Sequence, residues 1–134
     1  MRAERKLTYQ ASHDALTGLI NRREFDNRLH VAVAAAQRGD GAYALLYIDL
    51  DQFKVVNDTC GHLAGDALLR ELAQVLSAKM RRSDTLARLG GDEFAVALEG
   101  CDLADAQRLA HQGLAAIRAF RFSWEGREFS VGAS

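Results

Sequence analysis

Apolar residues return at helical spacing in three stretches of this 134-residue chain. Across Arg22 to Gln37, the positions Phe25, Leu29, Val33 and Ala36 share one face, which predicts an amphipathic helix. Arg38-Gly39-Asp40-Gly41 follows as its stop, with the glycine punctuation that helix ends favour. Ala64 to Met80 is the clearest helix, with Leu68, Leu72, Val75, Leu76 and Met80 as its buried stripe. A third helix is predicted over Leu103 to Phe120, with Leu109, Leu114 and Ile117 directed at a core. Shorter apolar runs of strand length lie between them: Ala42 to Ile48, ending at Asp49, then Thr85 to Leu89 and Phe94 to Leu98. Gly90-Gly91 joins the last two as a hairpin, because glycine alone takes positive φ without steric cost. Arg121 to Trp124 and Glu128 to Val131 flank Glu125-Gly126-Arg127 as a second hairpin. Such alternation predicts helices packed on a sheet, an α/β sandwich.

The ends of the chain add two expectations. Residues 1–12 are polar and helix-compatible, with charges at Arg2, Glu4, Arg5 and Lys6, and are read as the tail of an incoming linker helix. Residues 13–134 then form a single domain. Val131-Gly132-Ala133-Ser134 falls inside an expected strand, so the chain is read as a fragment of a longer polypeptide.

Composition narrows the function classes. Hydrophobic residues make up 49% and charged residues 26%, and the formal charge is −1. No basic excess draws the chain to a nucleic acid polymer or an anionic membrane surface. Apolar runs such as Ala42 to Ile48 are far shorter than a membrane span. Cys60 and Cys101 lack metal-ligand spacing and are expected as buried, reduced thiols in a cytoplasmic protein.

Two acidic pairs are the candidate chemistry. Tyr47-Ile48-Asp49-Leu50-Asp51 places two carboxylates at a strand end, and both point to one side if the strand continues that far. Asp92 and Glu93 follow the two glycines at a second strand mouth. If the strands are neighbours, Asp49 meets Asp92 or Glu93, and acidic oxygens without His or Cys suit Mg²⁺. Solvated acids at a strand end are the plainer alternative for either pair alone. A calcium loop of the EF-hand type is excluded, since Phe53 and Lys54 stand where that loop needs Asp or Asn and then Gly. No P-loop, nucleophile elbow or zinc pattern is present. Between the first strand and the long helix, Asn57 and Asp66 carry the donors and acceptors that read a base edge. They are equally placed as a turn (Asn57-Asp58) and a helix cap (Asp66). His62 lies at the same helix start, where a structural role competes with one against a substrate.

Five segments fall in a familiar order. They are Asp14-Ala-Leu-Thr-Gly-Leu-Ile-Asn-Arg22, Asp49-Leu-Asp-Gln-Phe-Lys54, Asn57-Asp-Thr-Cys-Gly-His62, Gly65-Asp66 and Gly90-Gly-Asp-Glu-Phe94. In them the chain resembles the GGDEF domain of bacterial diguanylate cyclases from about residue 12 onward. The resemblance implies an α+β fold, palm-like or ferredoxin-like, with a mainly antiparallel central sheet surrounded by helices. It implies condensation of two GTP molecules into cyclic di-GMP with release of pyrophosphate, dependent on Mg²⁺ or Mn²⁺. Asp49, the Leu50 carbonyl and Asp92 would hold the metal, with Asp92 and Glu93 as the catalytic acids. Backbone amides around Gln52, Phe53 and Lys54 would cradle the triphosphate, Asn57 and Asp66 would recognise guanine, and His62 would lie on the substrate side. Each domain would hold one GTP, so a second GGDEF domain, as in a homodimer, completes the reaction.

Arg81-Arg82-Ser83-Asp84 matches the family's inhibitory site, where cyclic di-GMP binds through Arg81 and Asp84. An ordinary i, i+3 ion pair is the competing reading of those two residues. The resemblance further implies an N-terminal sensory domain and, in some relatives, a C-terminal phosphodiesterase domain. A silent variant that binds GTP or cyclic di-GMP to regulate such a partner is the alternative function. Two features depart from the pattern: Asp92 is one methylene shorter than the Glu found there in other members, and the family's last strand–helix portion is missing.

Overall fold

The structure is a computed structural model and describes residues 11–39 and 41–133. Of the expected linker helix, residues 1–10 lie outside the described part, and residues 11–12 are helical. The elements are α1 (Arg22–Gln37), β1 (Tyr43–Asp51), α2 (Phe53–Cys60), α3 (His62–Ala78), β2 (Thr85–Gly90), β3 (Glu93–Glu99), α4 (Leu103–Ala119), β4 (Arg121–Trp124), β5 (Arg127–Ser130) and β6 (Gly132–Ala133).

The central sheet runs β2-β3-β1-β6, with every neighbouring pair antiparallel. The α+β architecture with an antiparallel sheet between helices is therefore the one the chain adopts. β4 and β5 form a separate hairpin.

Alternation along β3 sorts the two faces. Phe94, Val96 and Leu98 point into the cores shared with α3 and α4, while Ala95 packs with Ala87, Ile20 and Phe25 of the α1 side. Small residues on that second face let α1 approach closely. On α1, Phe25 is buried and Leu29 packs against it, but Val33 and Ala36 of the predicted stripe are exposed. The helix covers β2 and β3 with its first two turns and leaves its last turns over open surface.

The α3 stripe is the dominant contribution to the core. Leu68, Leu69, Leu72 and Leu76 are at most 1% exposed. Each buried leucine is worth about 1.5–3 kcal/mol, which exceeds the roughly 1 kcal/mol that an interior glycine, here Gly65, costs a helix. Asn21 caps α1 by accepting from the Glu24 amide at 3.0 Å, and Asp102 caps α4 by accepting from the Asp105 amide at 2.8 Å.

The segment expected as a connection between β1 and the long helix is itself helical, as α2. It is only eight residues long and carries the β-branched Val55, Val56 and Thr59, so length and propensity both argue against a helix there. Burial of Val56 (1% exposed) against the main core supplies what propensity does not. Gly61 ends α2 and starts α3 with φ +90° and ψ 174°, a backbone shape open essentially to glycine, so the chain folds back sharply there. The thiols of Cys60 and Cys101 are unbridged, Cys101 buried and Cys60 half-buried.

Candidate active site

β1 continues to Asp51, beyond the end expected from its apolar run, and this extension builds the site. Odd-numbered residues of β1 face away from α3 and α4, so Asp49 and Asp51 share one side. Across the ladder Asp49 lies opposite Glu93, and the Leu50 amide donates to the Asp92 carbonyl at 3.1 Å. The hairpin turn is centred on Gly91 and Asp92 rather than on Gly90 and Gly91, since Gly90 still pairs with Glu93. Gly91 takes φ +49°, and Asp92 therefore rides on the turn itself, above the end of β1.

The acids converge. Their mutual repulsion is visible in one of them: the neighbouring Asp92 carboxylate, then partial desolvation, a hydrogen bond to Asp92 and the charge of Asp51 hold the Asp49 carboxyl above the usual aspartate range. Among the described residues no three His, Cys, Asp or Glu side chains form a closed metal cluster. Two crowded carboxylates beside exposed backbone nonetheless fit an open Mg²⁺ or Mn²⁺ site, which takes one or two protein carboxylates and fills the rest of its shell from water and phosphate. A divalent cation would also relieve the repulsion. A shallow cavity of about 170 Å³ beside Asp49 and Glu93 is lined by Tyr47, Ile48 and Phe94 as well.

Next to the acids, α2 presents an uncapped N-terminus. Gln52 adopts the left-handed conformation (φ 69°) and gives no side-chain cap, so the first amides of α2 point outward without a side-chain acceptor. A non-glycine residue in that conformation is strained, and such strain clusters at ligand sites. Lys54 is exposed on this turn, whereas Phe53 is half-buried and packs against the core. Asn57 follows one turn later and lies against Gly65 of α3, which precedes Asp66. Both residues are half-buried, and His62 is exposed in the first turn of α3.

Asp14 heads the first motif, but neither it nor Arg88 had a site role legible in the sequence. Arg88 donates through Nε and Nη2 to the Gly91 carbonyl at 3.1 and 3.0 Å. Its Nη1 donates to Asp14 Oδ1 at 3.0 Å, with both side chains less than a fifth exposed. Asp14 in turn accepts from the Thr17 amide and hydroxyl at 2.9 and 2.8 Å, and the Arg88 amide donates to the Ile20 carbonyl. One guanidinium thus ties the turn that carries Asp92 to the loop before α1. The available signal was the apolar setting of Arg88, two residues before the glycines in a strand otherwise made for burial.

Arg81 and Asp84 form a fork. Arg81 Nη2 and Nε donate to Asp84 Oδ1 at 2.7 and 3.1 Å, and the Arg81 amide donates to Asp84 Oδ2 at 2.9 Å. Nη2 also donates to the Glu99 carbonyl at 3.2 Å. The hydrogen bonds to Asp84 raise the Arg81 pKa further above its usual value. The Asp84 carboxylate is 1% exposed, while 41% of the Arg81 side chain remains open. The ion-pair reading of the two residues is therefore realised, with one edge of the guanidinium left toward solvent.

An antiparallel sheet flanked by helices, with carboxylates gathered at one strand mouth beside an uncapped helix start, defines an α+β domain whose acidic site lies at its strand ends. The chain belongs to the family described as "Diguanylate cyclase, GGDEF domain", which matches residues 11–134. It is 49% identical over 130 residues to the probable diguanylate cyclase DgcE of Escherichia coli K12, covering 97% of this chain and 12% of DgcE. It is 50% identical over 111 residues to the bifunctional diguanylate cyclase/cyclic di-GMP phosphodiesterase MucR of Pseudomonas aeruginosa, covering 83% of this chain and 16% of MucR. The crystal structure of the coiled coil and GGDEF domain of Caulobacter crescentus DgcB, in complex with c-di-GMP, superposes with a TM-score of 0.90 at 26% identity, covering 99% of this chain and 71% of that one. The chain thus spans a small part of the curated relatives it matches. Among the described residues no helix is long and apolar enough to cross a membrane.

Proposed function

We propose that this domain condenses two GTP molecules into cyclic di-GMP and two pyrophosphates, as a pair of facing domains. The observation that carries the reading is the convergence of Asp49 and Asp92 across the β1–β3 pair. In each half-reaction the 3′-hydroxyl oxygen of one GTP bonds to the α-phosphorus of the other, and the bond to pyrophosphate breaks. The hydroxyl proton passes to solvent or a nearby carboxylate. Bound Mg²⁺ or Mn²⁺ supplies charge neutralisation of the phosphates and a lowered hydroxyl pKa.

The chain's own part is placement. Asp49, the Leu50 carbonyl and Asp92 are the proposed metal ligands. Glu93, opposite Asp49 in the ladder, adds negative charge beside them. The uncapped amides at Phe53 and Lys54 are proposed to take the triphosphate, where a helix N-terminus favours anions. Asn57 and Asp66 are proposed to read the guanine edge, with His62 at the rim. Since each domain presents one such set, the second GTP comes from a partner domain, and alignment of the two is the main requirement for in-line attack. Arg81, with its open guanidinium edge, is proposed to receive cyclic di-GMP as an inhibitor, seated by Asp84.

Incubation of the full-length protein with GTP and Mg²⁺, followed by chromatography of the products, tests this. Cyclic di-GMP is expected, and Asp92→Ala should lower its formation at least about a hundredfold, as loss of a transition-state charge partner does. Undiminished synthesis by that variant would refute the metal assignment. No product under enforced dimerisation would favour the regulatory alternative, a nucleotide-binding domain that controls an attached phosphodiesterase.

A further inference from the structure

Interior glycines weaken a helix, and α3 and α4 each hold a buried one, Gly65 and Gly113. The two are not alike. A Cβ placed at Gly113 meets nothing within 4 Å. A Cβ placed at Gly65 would overlap Asn57 Oδ1 outright and stand 2.9 Å from its Cγ and 3.4 Å from its Nδ2. Those three nearest atoms all belong to one carboxamide, which therefore rests directly on the α3 backbone. Among the described residues that half-buried carboxamide takes no hydrogen-bond partner, and packing against α3 fixes its place.

We infer that Gly65 is a specificity-determining position: its missing side chain is the seat that aims the Asn57 carboxamide at a purine edge. The inference rests on Asn57 as a base-reading residue, proposed above. Packing governs the consequence. Asn57 extends from α2, whose Val56 is locked in the core, so the helix cannot slide to make room for a methyl group. The flexible carboxamide moves instead, and its two polar atoms leave the geometry that separates guanine from adenine. A site built to hydrogen-bond a ligand discriminates strongly only while those atoms are in position.

The test is a double-mutant cycle read by GTP and ATP affinities, measured on the chain with each nucleotide in the presence of Mg²⁺. Gly65→Ala should weaken GTP binding about tenfold and lower the GTP-to-ATP preference to that of Asn57→Ala. In the Asn57→Ala background, Gly65→Ala should change neither value, because the obstructed group is gone. Gly113→Ala, the open glycine, should leave the preference at its starting level. A wild-type preference in Gly65→Ala alongside a lost one in Asn57→Ala would overturn the role of Gly65 and leave Asn57 standing. An equal loss on adding Gly65→Ala in both backgrounds would overturn it too. An unchanged preference in Asn57→Ala would instead remove the base-reading assignment, and this inference with it. If Gly65→Ala alone fails to fold, the double variant decides: folded, with the affinities of Asn57→Ala, it supports the seat, and unfolded it refutes it.

Discussion

At the scale of single residues, the site is organised by charges that do not belong together. Asp49 stands opposite Glu93, beside Asp92 and two positions from Asp51, and like charges across a ladder are unfavourable. Nothing in folding alone rewards that arrangement, which is why the acids read as a ligand site. The sequence made Asp49 and Asp92 legible as acids, but their meeting needed β1 to extend through Asp51. Arg81 shows the opposite case, a cation already satisfied by its own neighbour. Its outward edge predicts that Arg81→Ala relieves inhibition by cyclic di-GMP, raising the half-inhibitory concentration at least about tenfold with initial rate unchanged, since the loss of a forked phosphate contact is of that order. Equal inhibition of both forms in a progress-curve assay would return Arg81 to a purely structural role.

Elements add the positioning. α1, α3 and the hairpin β2–β3 were legible because apolar periodicity and paired glycines are local signals. α2 was not, because eight residues rich in β-branched side chains become helical only once Val56 enters the core. Missing α2 also hid the uncapped helix start next to the acids. The Arg88 bridge was illegible for another reason: its partner Asp14 lies 74 positions away, and only the parallel contact of Ile20 with Ala87 brings them together. Breaking a largely buried, hydrogen-bonded pair leaves an uncompensated charge. Arg88→Ala should therefore lower stability by about 2–3 kcal/mol in urea unfolding, and weaken metal-dependent activity beyond that loss by freeing the Asp92 turn. A change under about 0.5 kcal/mol would show that the turn holds itself without the guanidinium.

For the whole molecule, the antiparallel sheet separates two jobs. Its α3–α4 face carries the hydrophobic core, and the mouths of β1 and β3 carry the acids, so changes at the site need not disturb the packing. The five motifs made the family legible, and the overall architecture followed only through that resemblance, since motif order alone leaves open which strands are neighbours. The proposed facing pair of domains rests on the stoichiometry of the proposed reaction.

The most direct measurement is Mn²⁺ binding followed by electron paramagnetic resonance, with a non-hydrolysable GTP analogue present, in the wild type, Asp49→Asn and Asp92→Asn. The account predicts a bound Mn²⁺ signal in the wild type that each single substitution weakens about tenfold or more, because both carboxylates serve one centre. Wild-type Mn²⁺ affinity in either variant would contradict a shared site.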